Sequence, residues 1–164
     1  MAHFGVIDLA SAAPFRTKVV RLDPPLGCSL LDEAAFFDSV AVGPWLIDLE
    51  KCDTLARVWR DDIRDQELGY SVHTDLTLVD LRLHLRKFAL ANVEGHPKPL
   101  LFRYFDARII RTFLDDVFSP DARQKFLAPM QSLEVKAADD HATLVFTPSQ
   151  GTTAASLTPV VQRA

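Results

Sequence analysis

Five histidines and two cysteines are the side chains of this chain best suited to metal binding or nucleophilic chemistry. A zinc site favours pairs such as Cys-x-x-Cys, or two histidines one helical turn apart. No such spacing joins the histidines to one another or to a cysteine, and they lie at His3, His73, His84, His96 and His141. Neither Cys28 nor Cys52 has a local signature of an activating histidine, which leaves a cysteine nucleophile as an open alternative. We therefore expect no metal and no cofactor.

Motifs for phosphate binding and ester hydrolysis are missing from the sequence. Its six glycines are dispersed, and none falls in GxGxxG or GxxxxGK order. There is no Gly-x-Ser-x-Gly elbow. Acidic pairs occur at Asp61-Asp62, Asp115-Asp116 and Asp139-Asp140. Because neighbouring positions on a helix or turn diverge in space, such pairs indicate solvated faces and not a shared acid/base site. The sequence thus predicts no catalytic residues.

One charged cluster stands apart, at Arg103-Tyr-Phe-Asp106-Ala-Arg108. We expect Asp106 to close a strand and to cap the following helix, with Arg108 in the first helical turn, where the helix dipole disfavours a cation. Asp106 or Asp48 would compensate that charge. Two interpretations remain open: an ion-pair network that joins strand to helix, or a polar anchor in a protein-binding surface.

Length and composition favour a single cytoplasmic domain. The chain has 164 residues, of which 48% are hydrophobic and 24% charged, as in ordinary globular proteins. A net charge of −4 gives no basic face for nucleic acid. No apolar run approaches the roughly 18 residues of a membrane span, and the N-terminus does not resemble a signal peptide. We read the two cysteines as reduced, as in a cytoplasmic protein.

The pattern of apolar residues predicts an α/β (α+β) domain over residues 1–147, with a loose tail over 148–164. A mixed sheet of about five to seven strands with helices packed on it is expected. We predict strands at 4–9, 28–31, 45–49, 69–74, 100–105, 132–136 and 142–146. We predict helices over 53–64, 77–88, 106–118 and 119–129, and a brief helical turn after Asp32 that buries Phe36 and Phe37.

Two of these elements carry specific expectations. Thr77 and Asp80 form a capping box ahead of an apolar stripe that begins at Leu78. The 100–105 run is the most apolar of the predicted strands, and we therefore place it at the centre of the sheet. In the 106–118 helix, Val117 is expected to face inward together with its apolar neighbours.

The ordered series of motifs along the chain resembles a known family. It consists of Gly43-Pro-Trp-Leu-Ile-Asp-Leu49, Leu81-Arg-Leu-His-Leu-Arg-Lys-Phe88, Leu101-Phe-Arg-Tyr-Phe-Asp-Ala-Arg108 and Phe126-Leu-Ala-Pro-Met130. This order is similar to that of the type VI secretion effector chaperones, also called Tap or TEC adaptors, and in particular to their N-terminal lobe. The opening Phe4–Leu9 run also resembles the family's first strand. Ala107 departs from the family's usual proline, and the tryptophan that usually follows Met130 is missing.

The resemblance implies a bacterial cytoplasmic adaptor that binds an effector toxin and helps to load it onto a VgrG or PAAR-type spike protein. It implies no enzymatic turnover and no cofactor, and the charge and hydropathy of the chain indicate no nucleic acid and no membrane as partners. By the same resemblance, Arg103, Asp106 and Arg108 match one family block, and Trp45 and Asp48 match another. Whether these residues contact a partner or hold the fold stays open.

Two other functions are compatible with the sequence. A small hydrolase or transferase would use a cleft at the carboxyl ends of the strands, where α/β sheets bind ligands, with Asp106, Arg108 and His73 as its residues. An immunity-like toxin inhibitor would also be small, acidic and cytoplasmic.

Overall fold

The computed structural model describes residues 1–22, 26–31, 43–138, 142–148 and 156–158. Its principal sheet contains the strands β1 (Ala2–Asp8), β2 (Gly27–Ser29), β3 (Pro44–Asp48), β4 (Gly69–Thr74), β7 (Met130–Lys136), β8 (Thr143–Phe146) and β9 (Ser156–Thr158). They lie in the order β2-β3-β1-β4-β7-β8-β9. A separate two-stranded ribbon joins β5 (Leu90–Ala91) to β6 (Leu100–Leu101). The α/β class is confirmed, but every described pair is antiparallel, where a mixed sheet was expected.

Five α-helices connect the strands in the part of the chain that the structure describes. They are α1 (Arg16–Val19), α2 (Asp53–Val58), α3 (Leu78–Arg86), α4 (Ala107–Thr112) and α5 (Pro120–Leu127). A 3-10 turn at Ala13–Phe15 precedes α1, and wider π-helical turns extend α2 through Trp59–Ile63 and α4 through Phe113–Val117. The predicted helix starts at Thr77, Asp106 and Ser119 are confirmed, because each of these side chains accepts a backbone N–H of the first turn.

The strands β1, β3 and β4 are buried on both faces of the sheet, so that the domain has three layers in this region. On β1, Phe4 and Val6 point to a core that includes Leu81 of α3 and Ile110 of α4. The alternate residue Ile7 points to the opposite core, shared with α2. Strand residues of period two therefore supply both cores, and burial of the strands on both sides explains their almost continuous apolar sequences.

Trp59 fixes how closely the second layer approaches the sheet. Its ring is 2% exposed and its indole N–H donates to the Ser71 hydroxyl at 3.0 Å. A Cβ atom added at Gly5 would lie 2.6 Å from the ring. One added at Gly69 would lie 2.4 Å from the carbonyl oxygen of Val6. Both glycines are thus required by close packing under the tryptophan.

Some sequence expectations differ from the structure. The 100–105 run is not a central strand, since only Leu100–Leu101 pairs, in the outlying ribbon, and both of these side chains are 42% exposed. The middle strand of the seven is β4, which lies between β1 and β7. Val117 is 54% exposed and does not face inward.

Two further expectations concern parts of the chain that are only partly described. The helical turn after Asp32, with Phe36 and Phe37, lies outside the described residues, as do Asp139, Asp140 and His141. In the 148–164 range, Ser156–Thr158 pairs with β8, and 149–155 and 159–164 are outside the described residues. No helix in the described part of the chain is long and apolar enough to cross a membrane.

Candidate functional site: a buried aspartate pair and three arginines

The charged cluster is built around Asp106, at the N-terminus of α4. Its carboxylate is 4% exposed, and it accepts the backbone N–H of Arg108 at 3.0 Å as an N-cap. The Arg108 guanidinium binds both carboxylate oxygens, with Nε donating to Oδ1 at 3.1 Å and Nη2 to Oδ2 at 2.8 Å. This bidentate pairing compensates the positive charge of Arg108 in the first helical turn, as predicted from the sequence for Asp106.

Asp8 completes the cluster from the far end of the sequence. Strand β1 ends at Asp8. The Asp8 carboxylate is 2% exposed and accepts hydrogen bonds from the Ala10 N–H and the Ser11 hydroxyl, both at 3.1 Å. Arg103 bridges the two aspartates, because its Nη2 lies 2.9 Å from Asp8 Oδ2 and 3.3 Å from Asp106 Oδ2. A buried carboxylate must be paired, and Arg103 therefore ties the end of β1 to the start of α4.

A second ion pair lies beside the first. Arg111 of α4 donates to the Glu67 carboxylate and to the Lys136 carbonyl oxygen, the latter at 2.6 Å. Glu67 precedes β4 and has a positive φ of 57°, which is uncommon outside glycine and asparagine. Arg111 thus connects α4 to the segment before β4 and to the end of β7, so that two adjacent arginine contacts hold α4 against one end of the sheet.

Electrostatics favour the ionised form of Asp106. Burial raises the pKa of this carboxyl, but the hydrogen bonds and positive charge of Arg108, together with the charge of Arg103, outweigh it and hold the pKa below its usual range. The two guanidinium groups remain partly accessible, at 45% for Arg103 and 59% for Arg108. The cluster therefore combines a buried, fixed anionic interior with an accessible cationic rim.

The remaining residues singled out in the sequence lie elsewhere. Asp48 accepts the backbone N–H groups of Glu50 and Lys51, each at 3.1 Å, and pairs with Lys51 Nζ at 2.8 Å; it does not neutralise Arg108. Trp45 is 8% exposed within the core of the second layer. Arg103 lies beyond the end of β6 and not on a strand. The structure thus joins Arg103, Asp106 and Arg108, and separates them from Asp48 and Trp45.

Asp8 is the member of the cluster that the sequence analysis did not select. The signal was present, because Asp8 ends an apolar strand, and an aspartate next to a buried run needs a cation. The partner is 95 positions away in sequence, at Arg103. No local spacing rule joins the two.

His73 does not meet Asp106 and Arg108 in a shared site. Asp8 lies at the Gly69 end of β4, whereas His73 pairs with His3 near the other end. At about 3.3 Å per residue these ends are about 13 Å apart. His73 instead stacks on His3, with ring centroids 4.3 Å apart, and its Nε2 lies 3.4 Å from Glu134 Oε1. The set of residues considered for a hydrolase or transferase is therefore not assembled.

The described residues also give no metal site, and the surroundings of Cys28 disfavour a thiolate there. No group of three or more His, Cys, Asp or Glu side chains with the geometry to hold a metal occurs among them. Cys28 is half-buried, and burial raises the pKa of its thiol against a smaller lowering effect from Arg82. A raised pKa disfavours the thiolate that nucleophilic chemistry needs.

A known family model matches most of the chain. Residues 3–125 match a family model described as Domain of unknown function (DUF4123). The chain belongs to the DUF4123 family. DUF4123 is associated in general with type VI secretion effector adaptors, which agrees at the level of the family with the resemblance seen in the sequence. The DUF4123 match includes the whole Asp8–Arg108 cluster. No curated protein and no solved structure shows a significant match to the chain.

Proposed function

We propose that this DUF4123 protein is a cytoplasmic, non-enzymatic adaptor that binds a type VI secretion effector and helps to load it onto a VgrG or PAAR-type spike protein. The family match over residues 3–125 carries the proposal, because the family is associated with such adaptors. The order of motifs from Gly43 to Met130 supports the narrower assignment to the Tap or TEC adaptors.

The charged cluster contributes to this function as a fixed framework. Each aspartate is nearly fully buried and multiply hydrogen-bonded, so that neither carboxylate is available to a substrate. The cluster holds α4 at one end of the sheet, and its accessible arginine edges offer donors to a partner's carboxylates. Arginine is common at the centre of protein interfaces, which fits a binding role for the rim.

The experiment that tests the proposal is co-expression with a type VI secretion effector and a spike protein from the same organism. We expect a tagged form of the chain to retain the effector through purification, and the spike protein to join the complex when all three are expressed. A chain that purifies alone under these conditions would contradict the proposal. Toxicity measured in the same cells separates an adaptor from an immunity-like inhibitor, because an adaptor stabilises its cargo without having to block it.

A further inference from the structure

Helix α3 has an apolar face on each side. Its inner residues Leu81 and Leu85 are fully buried against the sheet. On the outer side Val79 and Leu83 are 60% and 51% exposed, and they are neighbours because they are one helical turn apart. A surface helix ordinarily buries one apolar stripe and presents polar residues on the other side. The outer stripe of α3 is therefore in excess of what this fold requires.

A cavity continues this stripe at the N-terminal end of α3. It has a volume of about 360 Å³ and lies between Gly27 and Cys28 of β2 and Leu78, Val79 and Arg82 of α3. Small-molecule pockets have volumes of roughly 300–1,000 Å³, so this cavity is suited to one or two large apolar side chains. Val79 belongs to both features, which makes the stripe and the cavity one continuous surface.

Two cations of the described residues, Arg82 and Lys87, flank this surface, although the protein as a whole has a net charge of −4. Arg82 Nε donates to the Ser29 carbonyl oxygen at 2.7 Å, which holds the guanidinium at the edge of the cavity. Lys87 follows Leu83 by one further turn and is exposed. Within the described ranges no salt bridge joins Arg82 or Lys87 to a carboxylate. The one acidic residue of α3, Asp80, already accepts from the Thr77 hydroxyl at 2.7 Å.

We propose that this outer α3 surface, formed by Val79, Arg82, Leu83, Lys87 and the cavity, binds an acidic amphipathic helix of the effector. The proposal rests on the adaptor function and names its partner surface. An apolar side chain of the incoming helix fills the cavity, a second one packs on Leu83 one turn further, and flanking Asp or Glu side chains pair with Arg82 and Lys87. Ridges spaced by four residues on each helix give this contact its register.

The chain's own C-terminal segment lacks the required charge. Residues 148–164 contain no Asp or Glu and one arginine, Arg163. Residues 32–42 do contain acidic and aromatic side chains, including Phe36 and Phe37. They are therefore tested below as a competing occupant, together with a second copy of the chain.

The first test measures binding of a fluorescently labelled, designed helical peptide with leucines four residues apart and glutamates beside them. We expect the wild-type chain to bind it, more weakly at high salt, because the contact is partly electrostatic. Leu83→Glu should weaken binding about tenfold or more, as expected at an interface centre. Lys87→Glu should weaken it too, and a peptide with lysines in place of glutamates should regain affinity for this variant. Val117→Glu, at an apolar residue of similar exposure (54%) on another helix, is the matched control and should change nothing.

Three kinds of result would overturn the proposal. One is a failed peptide test, in which the wild-type chain does not bind the peptide or a folded Leu83→Glu variant binds it equally well. A second is a wild-type dimer, seen by light scattering, that Leu83→Glu converts to a monomer, since the occupant is then another copy. The third is a Phe36→Ser, Phe37→Ser variant that binds the peptide more tightly than wild type, because the chain's own segment then covers the surface.

Co-expression with the effector separates failure of this surface from failure of the adaptor function. Loss of the effector from Leu83→Glu, with retention by wild type and Val117→Glu, supports the proposal. Equal retention by Leu83→Glu, or loss of the spike protein with the effector kept, overturns it. If wild type itself retains no effector, the adaptor function and this choice of occupant are both wrong, whatever the peptide shows.

Discussion

Replacement of Asp106 by alanine tests whether the charged cluster holds α4 to the sheet. The side chain supplies the N-cap of α4, and loss of such a cap costs about 1 kcal/mol. It also pairs with Arg103 and Arg108, which are 45% and 59% exposed, so solvent screening limits each pair to roughly 0–1 kcal/mol. We therefore expect Asp106→Ala to lower the free energy of unfolding by about 2 kcal/mol.

Asp106→Asn separates the two contributions. Asparagine caps helices about as well as aspartate, so that only the charge is lost and the expected cost is about 1 kcal/mol or less. The assay is urea unfolding followed by tryptophan fluorescence. For a slope of about 2 kcal/mol per molar urea, Asp106→Ala should lower the midpoint by about 1 M. Asp115→Ala, at an exposed acidic residue that follows the same helix, should change the free energy of unfolding by less than about 0.5 kcal/mol.

Acid unfolding gives an independent measurement of the same carboxylate. The pKa of Asp106 is lower in the folded state than the value of about 3.9 for an unfolded chain, so its stabilising effect is present above about pH 4 and is lost as the pH falls through the folded value. Asp106→Asn should flatten this acid limb. The reasoning is refuted if Asp106→Ala unfolds at the wild-type midpoint, or if Asn and Ala destabilise equally.

Two further predictions concern the sheet. Burial, and then the charge of His73, lower the pKa of His3 in the folded state. The unfolded chain therefore binds this proton more tightly, and stability should fall as the pH drops below about 6.5. His3→Phe should reduce the slope of melting temperature against pH between about 7 and 5, and an unchanged slope would contradict the assignment. Gly5→Ala places a methyl group against the Trp59 ring and should cost about 1–3 kcal/mol in thermal unfolding, whereas Gly95→Asn, at an open position with a φ of +82° that asparagine tolerates, should have little effect.

Local features of this chain were predictable because their causes are local. The start of α3 follows from the capping box of Thr77 and Asp80, and that of α5 from Ser119 ahead of Pro120. The strand Gly69–Thr74 follows from its alternation of polar and apolar residues. Each depends on neighbours within a few residues, which a single sequence displays.

Errors arose where tertiary contacts decide. Residues 102–105 are apolar enough for a central strand, yet Tyr104 and Phe105 are buried in a turn, where they fill the core without joining the sheet. A buried turn and a buried strand are rich in the same apolar residues, so the sequence does not distinguish one from the other. The pairing of Asp8 with Arg103 was equally inaccessible, because it depends on β1 and the α4 start meeting at one end of the sheet.

Secretion of the effector is the most direct measurement of the adaptor function. The gene for this chain is deleted from its host, and the effector, the spike protein and an unrelated secreted component are quantified outside the cells. We predict that the effector alone disappears from the secreted fraction and returns when the wild-type chain is supplied. Undiminished secretion of the effector by the deletion strain would contradict the account.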